Sequence, residues 1–436
     1  MTDHHPKLRT RALWSLAALL LFAGAWVMLP YGDLNHYGTV PAFLLGAFLM
    51  LGGFFLALAQ KSPPLILFWS VALGLRLLLL WQTPNEDIYR YIWEGHALVA
   101  GHNPYLHSPD SPELAMLRNE LWQKVEFKQI SAIYPPLAEW VFAGMSLIHP
   151  SPFFFKFVFT LADLFVAWLL VRNFGAEASL IYAWNPLVIY CFAGGGHYDS
   201  LFVLSLVLGW LEWRRGRSIT SMGWIGVAVA LKWMVLPLVA WGAWRVFWSE
   251  NQKKKAIIAM GIALGTFFLS WVALNLWTHE WTFHLLPTTF SQYARSAEFF
   301  PGIVGWFWKP SLYQNQWFLP PLAIGWLCVI VRARKIEDAA QWLFFITFLL
   351  TPMVHAWYFT WLVPFAVVTR NKGTLLLSAS GFTYFLIYHH CQAPGGTWGL
   401  LPAETFLLWL PFIAGFLWSE SHPILETGVP RRESSK

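Results

Sequence analysis

The sequence is built from long apolar runs separated by short polar turns, and this alternation restricts the fold more than any single motif. The first run, WSLAALLLFAGAWVMLP, follows a basic start at Lys7, Arg9 and Arg11. It is longer than the core of a signal peptide and has no small-residue cleavage site after it, so the expectation is a first membrane helix. A membrane helix needs about 20 apolar residues, fewer where protein shields it. On that basis spans are expected near 12–29, 41–59, 64–81, 153–172, 178–193, 199–212, 219–231, 233–248, 256–276, 317–331, 339–352, 355–369, 374–389 and 402–418. The pair flanking Lys232 can alternatively be one long span. The fold class expected is all-α: one polytopic domain over residues 1–436 with about 14 transmembrane helices.

Composition agrees with this. Charged residues make up 12% of the chain and hydrophobic residues 57%, whereas a soluble protein carries roughly 25% charged residues to cover its surface. The net charge of +6 does not point to nucleic acid, because Lys and Arg occur in short clusters between apolar runs rather than as a stripe. Cys191, Cys328 and Cys391 are far apart and lack metal-ligand spacing.

The basic clusters set an orientation. With the N-tail in the cytoplasm, alternation puts QKSPP, Arg172, RRGR (214–217), KKK (253–255), RARK (332–335), RNK (370–372) and the tail PRRESSK on the same side. This is the positive-inside pattern, and a shift by one span would scatter it. Both termini are then cytoplasmic. The outer side receives 82–150, 194–198, 277–316, 352–355 and 390–401. In the first outer loop, 82–150, short helices are expected over DIYRYIWEGHALVAG and SPELAMLRNELWQKVE, with PPLAEWVFAGMSLI lying on the membrane after a Pro start.

The outer segments hold the polar residues that apolar helices do not need. Glu86 and Asp87 open the first loop. Asn85 or Glu86 can cap a helix beginning near Ile88; alternatively, a carboxylate at a cavity mouth can accept a proton from a hydroxyl. Helical spacing puts Arg90 and Tyr91 on the face of Asp87. GHNPY (101–105) and YPPL (134–137) are turn sequences, with Tyr105 and Tyr134 expected as interface anchors. In NPLVIYCFAGGGHYDSL, the glycines allow close backbone approach. His197 and Asp199 can orient a hydroxylated substrate, or Asp199 can cap the next helix. Lys232 lies in an apolar stretch, where a charge needs a partner, a polar cavity or a route to the surface; a phosphate would suit it. Arg76 is expected to pair with Asp163. His355 and Arg295 can reach phosphate or sugar oxygens. GIALG (261–265) fits a small-residue packing face. There is no Walker loop, G-x-S-x-G or His-Glu-x-x-His motif.

Taken in order, NEDIYRYIWEG, GHNPY, YPPL, NPLVIYCFAGGGHYDSL, LKWMVLPL and PMVHAWYFTWLVPF resemble the GT-C superfamily of polyprenyl-phosphate-sugar-dependent glycosyltransferases. The resemblance is strongest to the bacterial mannosyltransferase-like branch (glycosyltransferase family 87 and the mycobacterial polymannan enzymes) and covers roughly residues 64–370. It implies a lipid-linked sugar donor, an external site and a catalytic carboxylate in the first large outer loop. The matching position is Asp87, with Glu86 as second candidate and Glu94 as an acceptor-binding candidate. In this sequence that loop follows the third expected span rather than the first.

Inverting transfer of a hexose, such as mannose, to a glycan, lipid or protein hydroxyl is the implied reaction. The donor and acceptor contacts expected are Glu86, Arg90, Tyr91, Glu94, Tyr134, His197, Asp199, Lys232, Arg295 and His355. No metal or cofactor is expected, since a phosphodiester carries a single charge, and the partners are membrane lipids and the two substrates rather than nucleic acid. A transporter or flippase would place charges near the midplane, often within repeats; here they gather on one face. An O-antigen ligase or polymerase would carry a later loop richer in Arg and His.

Overall fold

The computed structural model of the chain describes residues 4–249, 251–283 and 293–421. The basic tail PRRESSK and the centre of the second outer loop, including the first three residues of FSQYARSAEFF, lie outside the described residues. The described chain is all-helical, with no β-strand and one isolated bridge between Ser296 and Met353.

Ten of the expected spans fold as single helices: His4–Met28, Thr39–Leu58, Leu65–Leu79, Pro152–Phe174, Asp199–Arg214, Ser218–Leu231, Lys253–Thr278, Leu319–Arg332, Ile336–Leu350 and Pro402–Ser421. Among the described residues, four helices are long and apolar enough to cross a membrane by length and composition, those within 9–31, 39–58, 152–174 and 253–278. The other expected spans are shorter or interrupted. The run 178–193 breaks after Ala183, where Asn185 Oδ1 accepts from the amides of Leu187 and Val188 and starts a new turn at Pro186. The stretch around Lys232 is not one long span. Lys232 is extended (φ −149°, ψ 110°) and ends the preceding helix. The runs 355–369 and 374–389 each begin or continue through a 3-10 turn.

Two expectations for the outer loop change. The helix Asp87–Val99 forms as expected, and Pro136–Ile148 starts at its proline. SPELAMLRNELWQKVE, however, is not one helix: a 3-10 turn covers Pro112–Leu117 and a single α-turn covers Glu120–Gln123. Asn119 interrupts them because its side chain accepts from the Trp122 amide, a local bond that competes with helix.

Buried polar groups join the helices. Arg76 and Asp163 are both fully buried, and the guanidinium forks onto the carboxylate at 2.6 and 3.2 Å. Its remaining bonds go to the carbonyls of Ala72 and Ala183, so one side chain ties three helices together. The GIALG packing expectation is corrected: a Cβ on Gly261 or Gly265 would meet nothing, whereas Ala263 between them packs on Gly226, where a Cβ would come within 2.5 Å of its Cα.

Long-range bonds divide the loops into two groups. One group joins Met28 to Gln82, Asn85 to Gly195, Asn103 and His107 to Glu280, Ser296 to Pro352, and Gln392 to Leu34. The other joins Ser62 to Glu177, Arg214 to Glu337, Arg245 to Ala333, and Lys372 to Ser419.

Candidate active site

The acidic helix begins at Asp87, and its entry is fixed by Asn85 rather than by Glu86. Asn85 Oδ1 accepts from the Asp87 amide, its own amide donates to the Gly195 carbonyl, and its side chain donates to the Tyr388 hydroxyl. Tyr388 in turn donates to Glu86 Oε1 at 3.0 Å. Gly196, at φ +77°, packs against the stem of Lys156, whose buried ammonium takes the carbonyls of Leu79 and Gln82. The glycines of GGGHYD therefore let the chain approach itself closely, and this brings His197 to Asp87.

Asp87 Oδ2 lies 3.6 Å from His197 Nδ1, beyond hydrogen-bond length. That nitrogen has no hydrogen-bond partner among the described residues. Burial lifts the Asp87 carboxyl to about 7, the Lys232 charge pulls it down and Asp199 pushes it up. Burial and the Asp87 charge lift Glu86 further, to about 8. Burial, Lys232 and His355 hold the His197 imidazole well below its usual range, so it is neutral. Asp87 keeps 30% of its side-chain surface accessible, so a small molecule can reach it.

Lys232 is a neighbour of this group. It is buried, with Nζ 2.9 Å from Asp199 Oδ1, which also accepts from the Trp361 indole at 2.8 Å. Rings of Tyr198, Tyr358 and Trp361 lie 4.5 to 5.1 Å from the ammonium. Lys232 thus does not reach for the surface, and Asp199 serves the lysine rather than a helix cap. The other Asp199 oxygen is buried without a partner. Lys232 is the one charged side chain, among the described residues, on the wall of a cavity of about 360 Å³. Tyr134, Tyr198 and Tyr358 share that wall, and Met234, Phe318 and Leu322 supply apolar surface. Asp87 is not a wall residue. It adjoins the wall electrostatically through Lys232, Tyr134 and Tyr358.

The other expected contacts divide. His355 joins the group: its Nδ1 lies 2.7 Å from the Tyr384 hydroxyl and its ring stacks on Trp357. Tyr91 and Tyr134 pack with Phe142 and Tyr198 in an aromatic cluster. Tyr91 is 1% exposed and its face is covered by Phe142, so it is no open platform. Tyr105 is likewise inside, donating to the Tyr134 carbonyl.

Arg90 turns its Nη atoms to the carbonyls of Glu126, Phe127, Ile130 and Ser131, with Nε 2.9 Å from Glu94. Glu94 is buried between Arg90 and Glu139. Arg90 and Glu94 therefore brace the outer loop. Arg295 is engaged by Glu298 at 2.5 Å and by the Ser311 carbonyl. Residues that the sequence did not single out are Trp357, Tyr358, Trp361, Tyr384 and Tyr388. They lie in aromatic runs indistinguishable from membrane-facing ones, and only their contacts identify them. Among the described residues, no group of three or more His, Cys, Asp and Glu side chains is placed to hold a metal ion.

Comparison with known proteins adds an independent finding. Residues 21–250 match the family model described as alpha-(1->6)-mannopyranosyltransferase, N-terminal domain. Alpha-(1->6)-mannopyranosyltransferase A of Corynebacterium glutamicum is 26% identical over 171 residues, 36% of this chain and 34% of that protein. The chain thus covers about a third of that curated relative's length. No solved structure matches. The matched region contains Asp87, His197, Asp199 and Lys232 and spans more than half of the sequence, and on that match the chain belongs to the alpha-(1->6)-mannopyranosyltransferase family.

Proposed function

We propose that this protein is an inverting mannosyltransferase that moves a mannosyl group from a polyprenyl-phosphate donor to an acceptor hydroxyl at the outer face of a membrane. The observation that carries the reading is the juxtaposition of Asp87, accessible and with its carboxyl raised by burial to about 7, with Lys232 on the wall of a largely apolar cavity. The basic N-tail and clusters put this side outside by the positive-inside rule.

In this reading the acceptor oxygen attacks the anomeric carbon as the bond from that carbon to the phosphate oxygen breaks. The hydroxyl proton goes to the Asp87 carboxylate, and the departing phosphate gains a second negative charge. Lys232 is the cation next to that charge. His197 flanks the carboxylate, its Nδ1 3.6 Å from Asp87 Oδ2. A single displacement inverts the anomeric centre, so an α-linked product requires a β-linked donor. The donor's hydrocarbon tail matches the apolar part of the cavity wall.

The test is transfer by the purified protein from β-linked polyprenyl-phosphate mannose to a mannoside acceptor, with the product anomer read by NMR. An α-linked product with wild type, and none with Asp87→Asn, is expected. A β-linked product, or full turnover by Asp87→Asn, would refute the assignment.

A further inference from the structure

Beside Asp87 runs a stack of flat rings, of which the transfer chemistry above uses only His197. Trp357 lies between two imidazoles. His197 stacks on one face at 3.8 Å with planes 17° apart, and His355 on the other at 4.5 Å with planes 2° apart. Tyr384 closes the far end by its hydrogen bond to His355 Nδ1 and packs edge-on to Trp357 at 5.9 Å. The near end is His197 Nδ1, which faces Asp87.

The local chain explains how this forms. His355 is extended (φ −116°, ψ 155°) and precedes the 3-10 turn Ala356–Trp361. Trp357 is 6% exposed and His197 1%, so neither ring can turn without displacing its neighbours. The His197 amide also donates to the Cys191 carbonyl, which fixes its backbone.

We propose that Trp357 is a positioning residue for Asp87: clamped between His355 and His197, it holds the imidazole in the rotamer that turns Nδ1 toward the carboxylate. This rests on the reading of Asp87 as the proton acceptor. The flat indole offers one face to each imidazole. The 3.6 Å gap is wider than a hydrogen bond, and contacts of this kind shorten when substrate fills a site. His197 then gives the ionised carboxylate a donor that carries no charge of its own.

The charged and titratable groups around Asp87, besides His197, are Glu86, Arg90 and Tyr91 on its own segment, Glu126, Tyr134, Asp199, Lys232, Tyr358, Tyr384 and Tyr388. Of these, Tyr358 and Tyr384 meet Trp357 edge-on, at 6.1 and 5.9 Å, and the two stacked faces belong to His355 and His197. The shortest of these contacts, 3.8 Å to the His197 ring, is the one that leads from Trp357 to Asp87.

The experiment measures kcat/KM against pH for full-length protein, with polyprenyl-phosphate mannose and a mannoside acceptor. Trp357→Leu, Trp357→Phe and Asp87→Asn are compared. Trp357→Leu is expected to lower kcat about tenfold, leave the donor KM within about twofold, and move the acid limb up by about one pH unit as the carboxylate loses its donor. Trp357→Phe, which keeps a flat face, is expected to recover most of both. If Trp357→Leu does not give folded protein, Tyr384→Phe loosens the far end of the same stack and is expected to move the limb upward by a smaller amount. An acid limb unmoved in every folded variant overturns the proposal, as does equal loss in the Leu and Phe variants. In that event, loss of turnover in Asp87→Asn leaves the function standing and removes Trp357 alone; full turnover in Asp87→Asn removes both.

Discussion

Lys232 and Asp199 bear on Asp87 with opposite signs, and this gives a quantitative test of the assignment. The ammonium lowers the Asp87 pKa and the Asp199 carboxylate raises it, leaving the group at about 7. An opposite charge within about 4–6 Å typically moves a carboxylate by 1–3 units. Lys232→Met is therefore expected to raise the acid limb of kcat/KM by about one unit. At pH 7 the ionised fraction of Asp87 would fall from about a half to about a tenth, roughly fivefold. That part of the loss disappears by about pH 9. Any remaining deficit at the plateau measures what Lys232 does for the phosphate. Asp199→Asn should move the limb the other way, and the double variant Lys232→Met/Asp199→Asn should return it toward 7. Each single change leaves one buried partner unpaired, which costs about 3–5 kcal/mol of stability, so the double variant should also melt higher than either single one. The assay is initial-rate transfer between pH 5.5 and about 9, with thermal unfolding monitored in the same detergent. A limb that stays in place in both single variants would mean that the titrating group lies outside the field of this pair, and Asp87 would lose its role.

Four further outcomes are expected. Asp87→Asn should lower kcat by about 10²–10⁴, while Glu86→Gln should keep most of the turnover; the reverse pattern would exchange their roles. Arg90→Ala should cost about 3–5 kcal/mol by stranding Glu94 and releasing the carbonyls of 126–131, read as a lower melting temperature; an unchanged melt would remove its bracing role. Arg76→Met and Asp163→Asn should each destabilise strongly, and the pair together less than their sum. In a cysteine-free background, Glu120→Cys should react with an impermeant maleimide from outside intact cells and Gly216→Cys should not; the reverse pattern would invert the orientation.

The helical plan was legible because apolar runs announce themselves by length. The break at Asn185 was less so, since it lies inside a run that reads as continuous, whereas the charge of Lys232 itself divides 219–231 from 233–248. Arg76 with Asp163 could be paired from sequence because two charges in apolar surroundings require each other. Arg90 could not be understood that way: its partners are backbone carbonyls 36 to 41 positions along the chain, and carbonyls leave no mark on residue type. The acids, His197 and Lys232 stood out as polar residues on an oily background. Trp357 and Tyr384 were hidden by the same background, because 18% of the chain is aromatic. The face of Tyr91 was misjudged since helical spacing gives direction but not what is already packed there.

The grip of Arg90 on the outer loop has a mechanical side. Its planar head holds the strip from 126 to 131 one turn beyond Asp87, and a guanidinium fork transmits a push with little give. Whatever lands on that strip therefore bears on the helix that begins at Asp87, because loop and helix are pinned together at this one side chain.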